Sequence, residues 1–256
     1  MERGTIVLSE ERFSCILSIL EEKHTVSVQE LSAQLSTSES TIRRDLVKLD
    51  QQGKLRKLHG GAASLTPLYS TKDDSLTVRL GRNIEEKQRI AQYAASLVVP
   101  GDFIYIDAGT TTELIGKYLT AHNIGIVTNS TIIAHSLTRA GYPVTMVGGE
   151  IKPLTEALVG PIAISNLAPF NFTKGFFGTN GIHPKHGYTT PEMNEASMKT
   201  HAMAQCRERY VLADTSKFNI VSPVTFGELS AAAIITGSLP DPVFREHTTV
   251  LEVGKP

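Results

Sequence analysis

Two stretches of the 256-residue chain hold residue types that could do chemistry, and they lie far apart. In "SESTIRRDLVKL" the pair Arg43 and Arg44 follows the hydroxyls of Ser40 and Thr41. A guanidinium offers a planar fork of donors that matches guanine O6 and N7, or a phosphate, bidentately. In "IDAGTTTELIGKYL" the run Asp107, Gly109, Thr110, Thr111 and Thr112 ends a short apolar stretch. A glycine there lets the backbone approach a ligand, and the hydroxyls donate. A helix opening behind them would offer free N–H groups to a phosphate.

The elements that must position Arg43 and Arg44 are helices. Ser9 reads as the N-cap of a first helix, with Phe13, Ile16, Leu17 and Leu20 at helical spacing, ending near Lys23-His24. Ser27 and Glu30 match a capping box for a second, with Leu31 and Leu35 on its apolar side. "STSE" breaks it. A third helix turns Ile42, Leu46 and Leu49 inward, and Gly53 stops it. "KLRKLHGGAASL" alternates apolar and basic residues, turns at Gly60-Gly61 and reads as a small β wing.

This order predicts a winged helix-turn-helix with Ser40, Thr41, Arg43 and Arg44 at DNA base edges. Lys48, Arg56, Lys57 and His59 extend the expected DNA interface. The formal net charge of −1 hides an asymmetry: residues 1–39 hold three basic residues against seven acidic, residues 40–60 six against two. Asp45 lies within the basic patch, where phosphates would repel it. It is expected to face inward, orienting an arginine or capping a neighbouring helix.

The stretch "SESTIRRDLVKLDQQGKLRKLHGGA" resembles the N-terminal domain of the DeoR-type family of bacterial sugar-metabolism repressors. The shared pattern is a Ser/Thr-rich start, then Thr-Ile-Arg-Arg-Asp-Leu, then a wing ending His-Gly-Gly. The expected organisation is a DNA-binding domain over 1–61, a linker over 62–76 rich in Ser, Thr and Asp, and a larger domain over 77–256.

In the larger part, strand-like and helix-like segments alternate. "DFIYID", "IGIVTNS", "PVTMVGGE", "KGFFGTNGI", "RYVLAD", "AAAIITG" and "TTVLEVG" read as strands. Residues 83–98, 111–122, 131–141, 157–170 and 195–208 read as helices. This predicts an α/β fold with a mainly parallel sheet, whose ligands sit at the carboxyl ends of strands. Polar residues and glycines gather at those ends: the Asp107–Thr112 run, Asn129, Gly149 and Glu150, then Thr179, Asn180 and Gly181, and Lys217 in "ADTSK". Glu195 and Lys199 lie four apart on one helix. They are either an exposed pair or a carboxylate and a cation facing a ligand.

"IDAGTTT", "VTNS", "GGE", "FFGTNGI", "GYTTPEMNEASMK" and "LADTSKF" are similar in order and spacing to the DeoR-type effector domain. The resemblance implies a fold similar to ribose-5-phosphate isomerase and coenzyme A transferases, with a phosphorylated sugar as effector. The closest likeness within the family is to fructose-operon repressors, which implies fructose 1-phosphate. The alternative is a sugar-phosphate isomerase-like enzyme carrying a DNA-binding domain. An isomerase needs a carboxylate base beside the reacting carbons. The "GTNGI" loop puts Asn180 where a carboxylate would help, which favours a sensor without catalytic residues.

One recognition helix reads few base pairs, so a homo-oligomer, dimer or tetramer, is expected on DNA. Hydrophobic residues at 41% and charged residues at 20% fit a globular chain. Cys15 and Cys206 stand alone, and His183, His186 and His201 lack ligand spacing, so neither a metal nor a cofactor is expected. No stretch reads as a signal peptide or a membrane span, so the expected location is the cytoplasm.

Overall fold

A computed structural model of the chain describes residues 9–65, 68–71 and 76–254. It divides into two units, Met1–Leu68 and Tyr69–Pro256. Parts of the expected ranges, residues 1–8, 66–67, 72–75 and 255–256, lie outside the described residues, and Arg3 is among them. No helix among the described residues is long and apolar enough to cross a membrane.

The first unit runs α1 (Ser9–Lys23), β1 (Thr25–Ser27), α2 (Val28–Gln34), α3 (Glu39–Gln51), β2 (Arg56–Leu58) and β3 (Gly61–Ala63). Ser27 and Glu30 form the capping box of α2 in both directions. Ser38 caps α3, and Gly53 takes φ +63° just past its end. Ile16, Leu20, Leu31, Ile42, Leu46 and Leu49 share one buried cluster. Each such side chain contributes about 1.5–3 kcal/mol relative to exposure.

The wing has a third strand that alternation alone did not reveal. β3 pairs antiparallel with both β1 and β2. At Gly61 a Cβ would lie 2.1 Å from the Val26 carbonyl oxygen, so only glycine lets these strands meet. The expected linker start at residue 62 is therefore corrected. Ala62 and Ala63 are buried strand residues, small enough to pack beneath the helices.

After β4 (Leu68–Tyr69), the second unit contains α4 (Leu76–Gly81), α5 (Ile84–Ser96), β5 (Phe103–Ile106), β6 (Gly125–Thr128), α6 (Thr131–Arg139) and β7 (Val144–Met146). It continues with β8 (Glu150–Lys152), β9 (Ala157–Val159), α7 (Pro161–Leu167), β10 (Phe172–Gly178), β11 (Gly181–His183), β12 (Gly187–Thr190) and α8 (Met193–Ala204). The last strands are β13 (Cys206–Leu212), β14 (Ile220–Val221), β15 (Val224–Gly227), β16 (Ala233–Thr236) and β17 (Val250–Glu252).

Seven strands form a parallel sheet in the order β17-β16-β13-β10-β5-β6-β7. Side chains alternate across it: Tyr105 and Phe177 enter one buried cluster, Ile104, Ile106 and Phe176 the other. Beside it, β11, β12 and β15 make a small antiparallel sheet, and β8 pairs with β9 as a hairpin.

Two helix expectations fail for local reasons. Over 111–122 the chain forms only a 3-10 helix, Thr112–Lys117. The Gly109 carbonyl accepts both the Thr112 hydroxyl and the Glu113 N–H at 2.9 Å, and the turns after it close i to i+3, Leu114 N–H on Thr111 at 3.2 Å and Tyr118 N–H on Ile115 at 2.9 Å. Gly116 lies mid-element, where a Cβ would meet Leu137 at 3.0 Å. Over 157–170, Gly160 at φ +93° followed by Pro161 divides the segment into β9 and α7.

Candidate functional site

Two surfaces hold the chemistry. The first is the outward face of α3. Ser40, Arg43, Arg44 and Lys48 are exposed at spacings of three, four and eight, while Ile42, Asp45, Leu46 and Leu49 are buried behind them. Arg43 pairs with Glu39 at 2.7 Å, and Arg44 Nε donates to the Ser40 carbonyl at 3.2 Å. Such exposed contacts are weak enough to be exchanged for a stronger anion. Asp45 faces inward and accepts from Arg12 Nε at 2.5 Å and Nη2 at 3.2 Å, tying α1 to α3. The Lys57 N–H donates to Asp50 at 2.9 Å and fixes the wing against the end of α3.

The second is a polar pocket at the carboxyl ends of β5, β10 and β13. Four basic side chains line it, Arg79, Lys87, Lys199 and Lys217, against two carboxylates, Glu195 and Asp214. Thr110, Thr111, Thr155, Thr179 and Asn180 supply neutral donors and acceptors. Lys87 is only 3% exposed, yet it carries an ammonium group into this pocket. Its Nζ donates to Thr110 Oγ1 at 3.1 Å and to the Arg79 carbonyl. Burial pushes its pKa below the ordinary lysine value. Asp214 opposes the shift, and Lys217, Arg79 and Arg82 add to it. An anion placed here would relieve that strain on the charged form.

Asp214 also organises the rim. It accepts from Asn83 Nδ2 at 2.8 Å and caps the short 3-10 helix Thr215–Lys217 that holds Lys217. At the other side, Lys199 donates to Asp107 and sits 5.6 Å from the centre of the Phe226 ring. Burial pushes the Asp107 carboxyl up, and Lys199 and the Gly178 N–H pull it back. Glu195 accepts from Thr155 at 2.7 Å and from Thr190 at 3.3 Å, with Lys152 at 3.2 Å. Burial opposes its ionisation, but Lys199, Lys152 and these hydrogen bonds outweigh it. The carboxyl is held below its usual value.

The family model "DeoR-like helix-turn-helix domain" matches residues 12–67, and "DeoR C terminal sensor domain" matches residues 82–238. The chain belongs to the DeoR family. It is a helix-turn-helix transcriptional regulator with a sensor domain. The chain is 38% identical to the "Uncharacterized HTH-type transcriptional regulator FruR" of Bacillus subtilis, covering 98% of this chain and 100% of that protein. It is 34% identical to a Staphylococcus aureus lactose phosphotransferase system repressor, covering 86% of this chain and 88% of that one. Among solved structures, ribose 5-phosphate isomerase A of Methanocaldococcus jannaschii is 16% identical with a TM-score of 0.39, covering 53% of this chain and 55% of that chain.

In this DeoR-family chain, eight of the residues expected to bind an effector, Gly109, Thr110, Thr111, Thr179, Asn180, Glu195, Lys199 and Lys217, line this one pocket. Six expected residues do not line it. Asp107 stands behind Lys199 as its partner. Asn129 is a brace: its Oδ1 accepts from the Ala108 N–H at 2.9 Å and its Nδ2 donates to the Leu158 carbonyl at 3.3 Å. Thr112 is fully buried on the Gly109 carbonyl. Gly181 lies in β11, where a Cβ would meet the Ile220 carbonyl oxygen at 2.4 Å. Gly149 and Glu150 open the β8–β9 hairpin, and Glu150 is exposed. The helix N-terminus expected behind the threonines is the 3-10 turn.

On α3, Thr41 is half-buried against Ser38 Oγ at 3.0 Å, so its hydroxyl serves the cap. Lys57 and His59 are exposed on the wing and Arg56 is half-buried. Sequence reasoning missed Arg79, Lys87 and Thr155 as pocket residues, while Asp214 lies in the strand-end run "ADTSK" that it did read. One signal was present for Lys87: it continues the apolar face Ile90, Ala91 and Ala94 of α5, where a lysine has no packing role.

Proposed function

We propose that this regulator is a repressor of a sugar-utilisation operon, released from its operator by a phosphorylated sugar. The best candidate is fructose 1-phosphate. The observation that carries the reading is the pocket's balance of four basic side chains against two carboxylates, built around a buried lysine on the threonine loop. Thr110, Lys87, Arg79 and Lys217 would hold the phosphate. Glu195, Asn180, Thr179 and Thr155 would accept and donate to sugar hydroxyls, and Lys199 would sit between. The names of the Bacillus and Staphylococcus relatives support a sugar effector, and the full-length match to the first supports fructose.

The pocket also supports a sensor over an isomerase. Both Glu195 oxygens accept hydrogen bonds, and its lowered pKa makes it a weak base. On DNA the protein would act as a dimer or tetramer in the cytoplasm, each α3 reading one half-site. A thermal-shift panel of sugar monophosphates tests the effector. A ligand that binds only the folded state at about 100 times its Kd stabilises it by about 2.7 kcal/mol. Fructose 1-phosphate is expected to raise the midpoint most. A shift equalled by inorganic phosphate would refute sugar recognition.

A further inference from the structure

The outward face of α3 is polar and basic except at one position. Ser40, Arg43, Arg44, Val47 and Lys48 follow one another at i, i+3, i+4, i+7 and i+8, so Val47 lies in the middle of the stripe. It is 37% exposed, the large apolar side chain that α3 leaves to solvent. The helix's other aliphatic residues, Ile42, Leu46 and Leu49, are all at 1% exposure or less. The side chain does not serve the helix. A β-branched residue loses rotamer freedom there and is a weaker helix former than the alanine, lysine or glutamate that an exposed site accepts. What sets the position apart is its setting: a third of this apolar residue is left bare inside a basic stripe, where local preference favours another residue.

We propose that Val47 reads the 5-methyl group of a thymine in the major groove. The occupant follows from the neighbours. Positive charge at Arg43, Arg44 and Lys48 surrounds the valine, which fits a polyanion and not an apolar protein surface. Within the major groove the thymine methyl is the apolar group that a base edge presents. The arginines on the preceding turn take acceptor edges or phosphates, and Val47 adds discrimination of thymine from cytosine one turn further along. This rests on α3 entering the groove.

The test uses a duplex enriched by the full-length protein from a random 30-base-pair library. Each thymine is replaced in turn by deoxyuridine, which removes only the methyl. The parent should lose about fourfold in affinity at one position of each half-site, as expected for one methyl group returned to water. Val47→Ala, which favours the helix and draws the apolar surface back from the base, should narrow the difference between the thymine and uracil duplexes and keep the parent's salt dependence. If no uracil substitution weakens the parent, or if Val47→Ala keeps the same thymine preference, the assignment is wrong. If the parent enriches no sequence at all, the groove reading beneath it fails as well.

Discussion

The two units use the same charged side chains in opposite ways. On α3, Arg43, Arg44 and Lys48 stand in solvent on a helix whose other side fills a core. In the second unit, Lys87 and Lys199 are at 3% and 5% exposure, and each is hydrogen-bonded, Lys87 to Thr110 and Lys199 to Asp107. Exposed cations are cheap to place and add their effects over a long polyanion, with strong dependence on salt. Enclosed cations cost desolvation unless something holds them, but they act at low dielectric on one small anion. The same residue types therefore suit a long polyanion in one unit and a small anion in the other.

The sharpest way to break this contrast is Lys87→Met. The substitution keeps volume and removes a buried charge, so the fold should persist. Affinity for the sugar phosphate should fall about 100-fold, near the upper range for a lost charged hydrogen bond. Operator affinity should stay at the parent value. Isothermal calorimetry and a gel-shift assay on the same preparation check both halves. Equal ligand affinity would remove Lys87 from the phosphate site.

Next in size is Arg44→Ala, with Arg43→Ala beside it. Each should weaken operator binding by about 1–3 kcal/mol if the side chain reads a base. Lys57→Ala should weaken all sequences alike and flatten the salt slope by about one. A fluorescence-anisotropy titration over a salt series separates the two behaviours.

Smaller still is Asp45→Ala, which removes the carboxylate that ties Arg12 of α1 to α3. It should cost about 1–2 kcal/mol of stability, less than a fully buried pair because both side chains retain some contact with water. Chemical denaturation of the full chain, with circular dichroism following the helices, measures the loss. Ligand binding should be unaffected.

The last prediction concerns pH. The folded-state pKa of Lys87 is lowered, chiefly by burial, so its charged form is the strained one and folding gains as pH rises through that value. A bound phosphate reverses the preference and raises the pKa. Ligand affinity should therefore decline as pH rises through the depressed Lys87 value. Lys87→Met should lose this dependence. Glu195 behaves oppositely: its lowered pKa contributes stability at neutral pH, lost as pH falls through its folded-state value.

The DNA-reading unit was legible because its signals are local. Capping box, helical period and turn lie within a few residues of the positions they explain, and Asp45 announced its inward turn by its charge. The pocket was legible only in part. Strand ends with glycines and threonines mark where a parallel sheet holds ligands, and Thr110, Asn180, Glu195 and Lys199 meet there. Lys87 and Arg79 come from helices that precede the sheet, and only tertiary packing brings Lys87 to Thr110, 23 residues away. Thr155 sits near a hairpin concealed by Gly160 and Pro161, whose neighbours read as helix. The expected ligands Asn129 and Thr112 turned to brace the loop because each found a backbone partner inside the fold.

The most direct measurement is a titration of fructose 1-phosphate into the complex of the full-length protein with its enriched operator duplex. Anisotropy follows the DNA and chromatography follows the sugar. Release of the duplex, with the ketose recovered unchanged, is the predicted result. A complex that persists at millimolar fructose 1-phosphate would contradict the effector assignment. An aldose phosphate in the recovered sugar would contradict the sensor reading, and the pocket would have to be described as an active site.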